Sequence, residues 1–411
     1  MTSVAVLTGV GLVSGPPATA IDEGSQQVAA NKGTLTDFGF DATAYGSKTD
    51  GNKDADSDAT AVSHLPCTRF VPRDVTNHVA NSEQGGVTLR NVDTHNFTRQ
   101  RDGVTSATSV ATVEGGEMAG GAVRFSDLRA TNRSFHEGGK GFAVRQVSSI
   151  GSLVVSGASV PIPDDGRPFT VPVPGRGTLT VNDKQRKVTD RSAVGAVNVL
   201  KFVSDDGTVE RTAHAQSRID GQIEGGLFGG GAFGSRSRVA DTATSKKGAF
   251  QPIPCVGTFG EVLETSSGEA NPTFGFLGAR RSFAYGIQRD NGSATGYTRS
   301  VVDSAEFGVL ELRNIRGRAN VTRQADGDVL RNARGTGVGA ILVAGEEQEQ
   351  PPAGEAQRFP GGEFTIRVVD KDGNGIEATG AIVRLFNGTP KDRTDDTVVE
   401  LARAALEIKR G

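Results

Sequence analysis

Tryptophan is absent from this chain of 411 residues, tyrosine occurs 3 times, and cysteine and methionine occur twice each. Sugar sites usually rely on aromatic platforms, so a chain with only Tyr45, Tyr285 and Tyr297 as phenols is poorly equipped for them. The histidines, His64, His78, His95, His136 and His214, all lie before residue 220 and show no H-x-x-x-H, H-E-x-x-H or Cys/His spacing, which excludes a recognisable zinc motif. No G-x-S-x-G nucleophile elbow occurs, and the Gly-rich stretches at Gly225 to Gly234 and at Gly335 lack the helix that a phosphate loop requires. No apolar stretch after the first twenty residues approaches the length needed to cross a bilayer. Excess charge is missing too. Lys and Arg number 45 against 48 Asp and Glu, a net charge of −3, so no footprint for nucleic acid or anionic lipid stands out. The short basic runs at Lys184 to Lys187 and at Arg280 and Arg281 read as solvated loop ends.

What is abundant points to strands. Glycine occurs 56 times, and Val, Thr, Ala and Ser fill most of the rest, a composition suited to many short strands and turns. Turn residues recur every eight to twelve positions, as in a sandwich or barrel. Residues 1–20 read as the remnant of an export signal: Val4 to Val13 is a short apolar run, and Ala18, Thr19 and Ala20 fit the small-residue cleavage pattern, although no Lys or Arg precedes the run.

The chain then repeats itself. "AYGSKTDGNKD…LPC" ends at Cys67 and "AFGSRSRVADT…IPC" ends at Cys255, with Gly46 and Gly234 equally far from their cysteines. Sliding Gly46 onto Gly234 also brings Pro66 onto Pro254 and "QRD" at Gln100 onto "QRD" at Gln288. With single-residue adjustments it brings "VRFSDLR" from Val123 onto "LELRNIR" from Leu310, and "GSLVVSG" onto "GAILVAG". The expected architecture is all-β: two tandem homologous antiparallel β-sandwich-like domains, residues 37–220 and 221–411, preceded by an N-terminal segment, 21–36. In both copies the apolar alternation slips, after Phe125 and after Leu312, which predicts a β-bulge or bend at Asp127 and Asn314. Leu153 to Val155 and Ile341 to Val343 read as central strands covered on both faces. "DKQRKV" from Asp183 reads as a hairpin turn. "TVVELARAALEI", from Thr397, is compatible with a helix, but its counterpart from Thr208 is polar, so a strand is expected in both copies.

The candidate functional residues are few. Cys67 and Cys255 are the disulfide candidates. If they pair within one chain, the copies are expected to face each other across a local twofold axis; otherwise they are two buried thiols, or Cys67 pairs with Cys255 of another chain. Asp370, Asp372, Asn374 and Gly375 open like a calcium loop, but Ala381 occupies the position of its bidentate carboxylate. The acidic loop with Asp50, Asp54, Asp56 and Asp58 reads as solvated, and paired carboxylates such as Glu114 and Glu117 could form a glycosidase couple, although any Gly-rich chain offers similar pairs. No catalytic residue, metal site or cofactor is expected.

The "AYGS" and "GGAFGS" openings, the "LPC" and "IPCVGTFG" segments, the "GGLFGGGAFGS" junction and the "LVVSG" and "LVAG" strands resemble the choice-of-anchor P family, secreted or surface β-proteins of actinobacteria. The resemblance covers about residues 37–411 and implies a β-rich extracellular or surface role without an established activity. Residues 406–411 carry no LPxTG-like motif, a departure from that pattern. The sequence thus leads to an exported, non-catalytic structural or adhesive protein, self-associating or bound to other cell-envelope proteins. A secreted polysaccharide-binding or polysaccharide-cleaving β-protein, with glycans as partners, is the alternative. Donor-strand exchange by residues 21–36 is a further expectation.

Overall fold

The computed structural model describes residues 27–28, 33–50, 59–221, 223–239, 243–244, 247–388 and 395–410. Every regular element among them is a strand, and all strand pairs are antiparallel. Four sheets result. Sheet I runs Gln27–Val28, Arg73–Gln84, Val87–Arg101, Val104–Met118, Val123–Glu137, Ser152–Val155, Ala158–Ser159, with Gly141–Ser149 also paired to Val123–Glu137. Sheet II runs Phe169–Val173, Gly177–Val188, Ser192–Ser204, Val209–Asp220, Thr34–Asp50, Ser63–Val71. Sheet III centres on Leu227–Val239, Thr397–Lys409, Gly375–Leu385 and Gly362–Asp370, flanked by Ala243–Thr244 and Ala356–Phe359. Sheet IV runs Leu263–Ser267, Arg280–Gln288, Ala294–Phe307, Leu310–Arg323, Ala340–Val343, Glu346–Glu347, with Val329–Asn332 on the side of Leu310–Arg323. Sheets I and IV share one strand order, and sheets II and III share another.

The backbone repeats in finer detail than the side chains do. Non-glycine residues with φ near +50° fall at matching places in the two halves: Ala61 and Ala249, Asp127 and Asn314, Ser156 and Ala344, Asn182 and Arg367, Ala213 and Ala402. Such a backbone is strained for an L-residue, so its recurrence shows that the geometry, more than the residue type, was kept. Asp127 and Asn314 are the two positions where the apolar pattern slips. Leu128 and Ile315 resume the buried face one residue late.

The same device explains the helix-like segment. Thr397–Lys409 is a strand in which Val399 and Leu401 face the core, the positive-φ bend at Ala402 buries that residue as well without shifting the pairing register, and Ala404, Leu406 and Ile408 continue inward. An alternation of two with one extra buried residue mimics the spacing of a helix face. Its counterpart, Val209–Asp220, behaves alike around Ala213.

Each pair of sheets buries a shared core. Val92, Val113 and Leu128 of sheet I meet Leu179, Val197 and Leu200 of sheet II. Val302, Leu312 and Ile315 of sheet IV meet Phe364, Val383 and Leu401 of sheet III. At Gly317 the facing sheets approach so closely that a Cβ would lie 1.8 Å from the Ala402 carbonyl oxygen. Gly317→Ala should therefore destabilise the second half by about 2–3 kcal/mol, read as a lower midpoint in chemical unfolding, because the obstacle is backbone and cannot rotate away.

Several expectations change. Ser152–Val155 is not a doubly covered central strand: it lies next to the edge of sheet I with alternating burial, and Ala340–Val343 lies next to the edge of sheet IV. Both are four residues long and glycine-flanked, and hydrophobicity at consecutive positions did not reflect cover on two faces. Asp183 to Val188 is strand, paired with Ala193 to Asn198, and the turn comes later, at Thr189 to Arg191. The basic runs are not loop ends. Lys184 to Lys187 belong to that strand, and Arg280 is buried, its guanidinium donating to Ser235 Oγ (3.1 Å) and the Gly268 carbonyl (2.5 Å). Donor-strand exchange also fails: Gln27 and Val28 pair with Thr76 and Val75 of the same chain, and Thr34 onward is already sheet II. Residues 1–20 lie outside the described residues.

Candidate functional site: a bridged junction and a cationic cleft

Cys67 and Cys255 form a disulfide within the chain, with their Cα atoms 5.4 Å apart and 188 residues between them in sequence. The bridge links a strand of the first half to a turn of the second. Cys67 lies in Ser63–Val71, an edge strand of sheet II, whereas Cys255 lies in a turn closed by Gly257 N–H donating to the Pro254 carbonyl (2.8 Å). Equivalent positions in sequence thus have unlike local structure, so the bridge does not impose the expected local twofold axis. Ile223, Leu227 and Val256 pack around Cys255, which is 1% exposed. Gly39 makes room for them. A Cβ there would meet Ile223 Cδ1 at 3.0 Å and Cys255 Cβ at 3.3 Å.

A half-buried carboxylate borders the sulfurs. An Asp41 oxygen and both Sγ atoms lie within 4.8 Å of one another. The sulfurs are bonded to each other, so they are not thiolate ligands, and no metal chemistry follows from the grouping. Burial raises the Asp41 carboxyl above its ordinary range, against the opposing pull of His64 and Arg218; Asp220, held by Arg218 at 2.6 Å, is raised by burial as well.

Further along the Cys67 strand the chain turns through a cis Val71–Pro72 bond into a cleft of about 490 Å³. Its lining includes Thr34, Arg73, Asp74, Arg99 and Gln100. Arg99 lies over the Phe97 ring at 4.8 Å and bridges Asp74 at 2.9 Å, while His95 Nε2 holds the other Asp74 oxygen at 2.5 Å. Arg73 lies over Phe70 at 5.1 Å. The Arg73 and Arg99 guanidiniums in one cleft, with Asp74 shared between Arg99 and His95, suit an anionic group held by charge-assisted hydrogen bonds.

The remaining candidates are scattered. In the Asp370–Gly375 turn the Arg331 guanidinium donates to the Gly373 carbonyl, so a side-chain cation already occupies an oxygen a calcium ion would compete for. Glu114 accepts from Asn91, and Glu117 faces Arg124 at 3.6 Å; each has its own partner, and neither lines the cleft. Asp50 ends its strand paired with Arg211 and Lys48, and Asp54, Asp56 and Asp58 lie outside the described residues. The histidines are dispersed. His64 sits near Asp41, His78 on Asp93, His95 on Asp74, and His136 between Phe38 and Phe142. His214 is buried, stacked on Tyr45 at 4.3 Å, with Nδ1 2.7 Å from Asn198 Oδ1; burial lowers its pKa to about 3 and raises that of Tyr45.

Arginines laid on aromatic rings recur on the sheet surfaces, and the sequence reading missed them. A signal was present in Phe97-Thr98-Arg99 and Arg133-Ser134-Phe135, where residues two apart share one face of a strand. Among the described residues no helix is long and apolar enough to cross a membrane. No protein-family model matches the chain, and no curated protein matches it.

Proposed function

We propose that this chain is an exported, non-catalytic structural or adhesive protein of the extracellular space or cell surface, in which two β-sandwiches are clamped together to present their outer faces. The observation that carries this reading is the Cys67–Cys255 bridge across the junction, since disulfides persist mainly in oxidising compartments. The resemblance to choice-of-anchor P proteins points the same way. Edge pairing supports assembly with further copies or other envelope proteins: the Ser63–Val71 edge carries Phe70, which with its partner Leu35 is exposed.

Binding of polysaccharide is the second reading, favoured by the paired guanidiniums of the cleft. Cleavage has less support, because Glu114 and Glu117 are separately engaged.

Native protein collected from culture supernatant, imaged by negative stain and titrated for thiols after denaturation without reductant, tests the leading reading. Filaments, arrays or wall-attached particles with no free thiol are expected. Recovery only from the cell interior with both thiols free would overturn it.

A further inference from the structure

The outer face of sheet IV carries Glu264 opposite Phe283 and an Arg281–Asp303 pair, but beside them it gathers three arginines that enter no ion pair among the described residues. In register, Phe283 of Arg280–Gln288 lies opposite Arg299 of Ala294–Phe307, which lies opposite Arg318 of Leu310–Arg323. The next row outward-facing on the same strands is Tyr285, Tyr297, Asn320. Alternate residues Ala284, Thr298 and Ala319 are buried, so these rows point away from the core. Arg316 adds a further exposed guanidinium one row along, opposite Val301.

Like charges directly opposite on neighbouring strands repel, and proteins ordinarily place an acid between them. Here the rings do that work. Arg299 lies over Phe283 at 4.2 Å and Arg318 over Tyr297 at 4.5 Å, with Tyr285 stacked behind Tyr297 at 5.3 Å. Arg318 Nε donates to Asn320 Oδ1 at 2.8 Å, which fixes the plane of the group, and Arg299 Nε is buried without a hydrogen-bond partner. Among the described residues no carboxylate forms an ion pair with Arg299, Arg316 or Arg318. Guanidiniums seated over rings have already given up rotamer freedom, so their planar set of donors is placed before a ligand arrives. That arrangement suits carboxylates spaced along a polymer. The tyrosine faces are taken up by each other and by Arg318, so sugar rings would be held at their acidic groups and hydroxyls rather than by stacking.

We propose that this face is an adhesion surface for an acidic polysaccharide. The proposal deepens the adhesive reading above and rests on it. The charge of the patch favours a polyanion, and the extracellular setting argued from the bridge favours a glycan over a nucleic acid.

The test uses the full oxidised chain on immobilised polygalacturonate, with neutral dextran and a single-stranded oligonucleotide as comparisons. The wild type should bind polygalacturonate, ignore dextran, and weaken as salt rises. Arg299→Gln with Arg318→Gln should lower affinity at least tenfold, whereas Arg167→Gln with Lys187→Gln, an equal change of charge elsewhere on the surface, should leave it unchanged. Arg316→Gln, at an exposed site, should lose about threefold and keeps the test available if the double variant misfolds. Absence of binding by the wild type, equal loss in the two double variants, or tighter binding of the oligonucleotide would each overturn the proposal. None of these results alters the thiol state or the site of recovery, so the broader reading stands or falls separately.

Discussion

Reduction of the Cys67–Cys255 bridge should leave one chain heavier by two hydrogens, with both sandwiches folded and their mutual orientation released. The two halves keep separate cores, which is why folding of each does not depend on the bridge. The bridge closes a sequence separation of 188 residues, and on a chain-entropy treatment that restriction of the unfolded state contributes about 5 kcal/mol, an upper figure. Denaturant unfolding with and without reductant should show the midpoint fall accordingly. Small-angle scattering below that midpoint should show a larger radius once the clamp opens. Cys255→Ser should be worse than Cys67→Ser. Its hydroxyl would be enclosed by Ile223, Leu227 and Val256, adding about 1–3 kcal/mol if left without a partner, whereas position 67 is only half-buried. Identical unfolding curves in the two redox states would show that the bridge does not hold the halves together.

Acid should unfold the first half through His214. Its imidazole is buried against Tyr45, and its pKa falls to about 3, with burial the largest cause and the charges of Arg211 and Lys48 adding to it. Asn198 donates to Asp183 at 2.9 Å, so its carbonyl oxygen faces His214 and the neutral ring carries its proton on Nδ1. The unfolded chain takes up a proton near the ordinary histidine value of 6.5 and the folded chain only near 3, so the unfolded state binds more protons between those values and stability falls as pH falls. By pH 4 the loss amounts to about 3 kcal/mol. Asp41, Asp220 and Glu210 act in the opposite sense, since burial raises their carboxyls and the folded state then holds protons more readily. Their contribution is present at low pH and fades as pH rises. The histidine effect is therefore read as a difference: between pH 7 and pH 4, the wild type should lose about 3 kcal/mol more than His214→Gln, whose amide can still donate to Asn198. Parallel losses would place the acid sensitivity elsewhere.

Some of this was legible from residues because a duplicated sequence states each local preference twice. The slip after Phe125 repeated after Leu312, and the recurring pattern error is a bend, with φ near +50° at Asp127 and Asn314 and the strand register unbroken across them. The polar segment ending at Ile219 argued against a helix in its apolar copy, and the positive-φ bend at Ala402 supplied the reason for the misleading spacing. Short runs fared worse. Leu153 to Val155 looked doubly covered, yet hydrophobicity over three residues carries no information on where in a sheet a strand lies. The length of a hairpin was equally hidden, since Asp183 to Val188 remains paired where its copy has already turned.

By itself the sequence determined the all-β class, the internal repeat, the places where the strands bend and the identity of the two cysteines as partners to consider, because periodicity and repetition are properties of neighbouring residues. Only the tertiary structure decided that the cysteines join the halves within one chain, that Arg73 and Arg99 share a cleft, and that three arginines on sheet IV have no ion-pair partner among the described residues. Those facts depend on which strands lie side by side and how closely the sheets approach, and pairing between distant segments is set by the packing of the whole core.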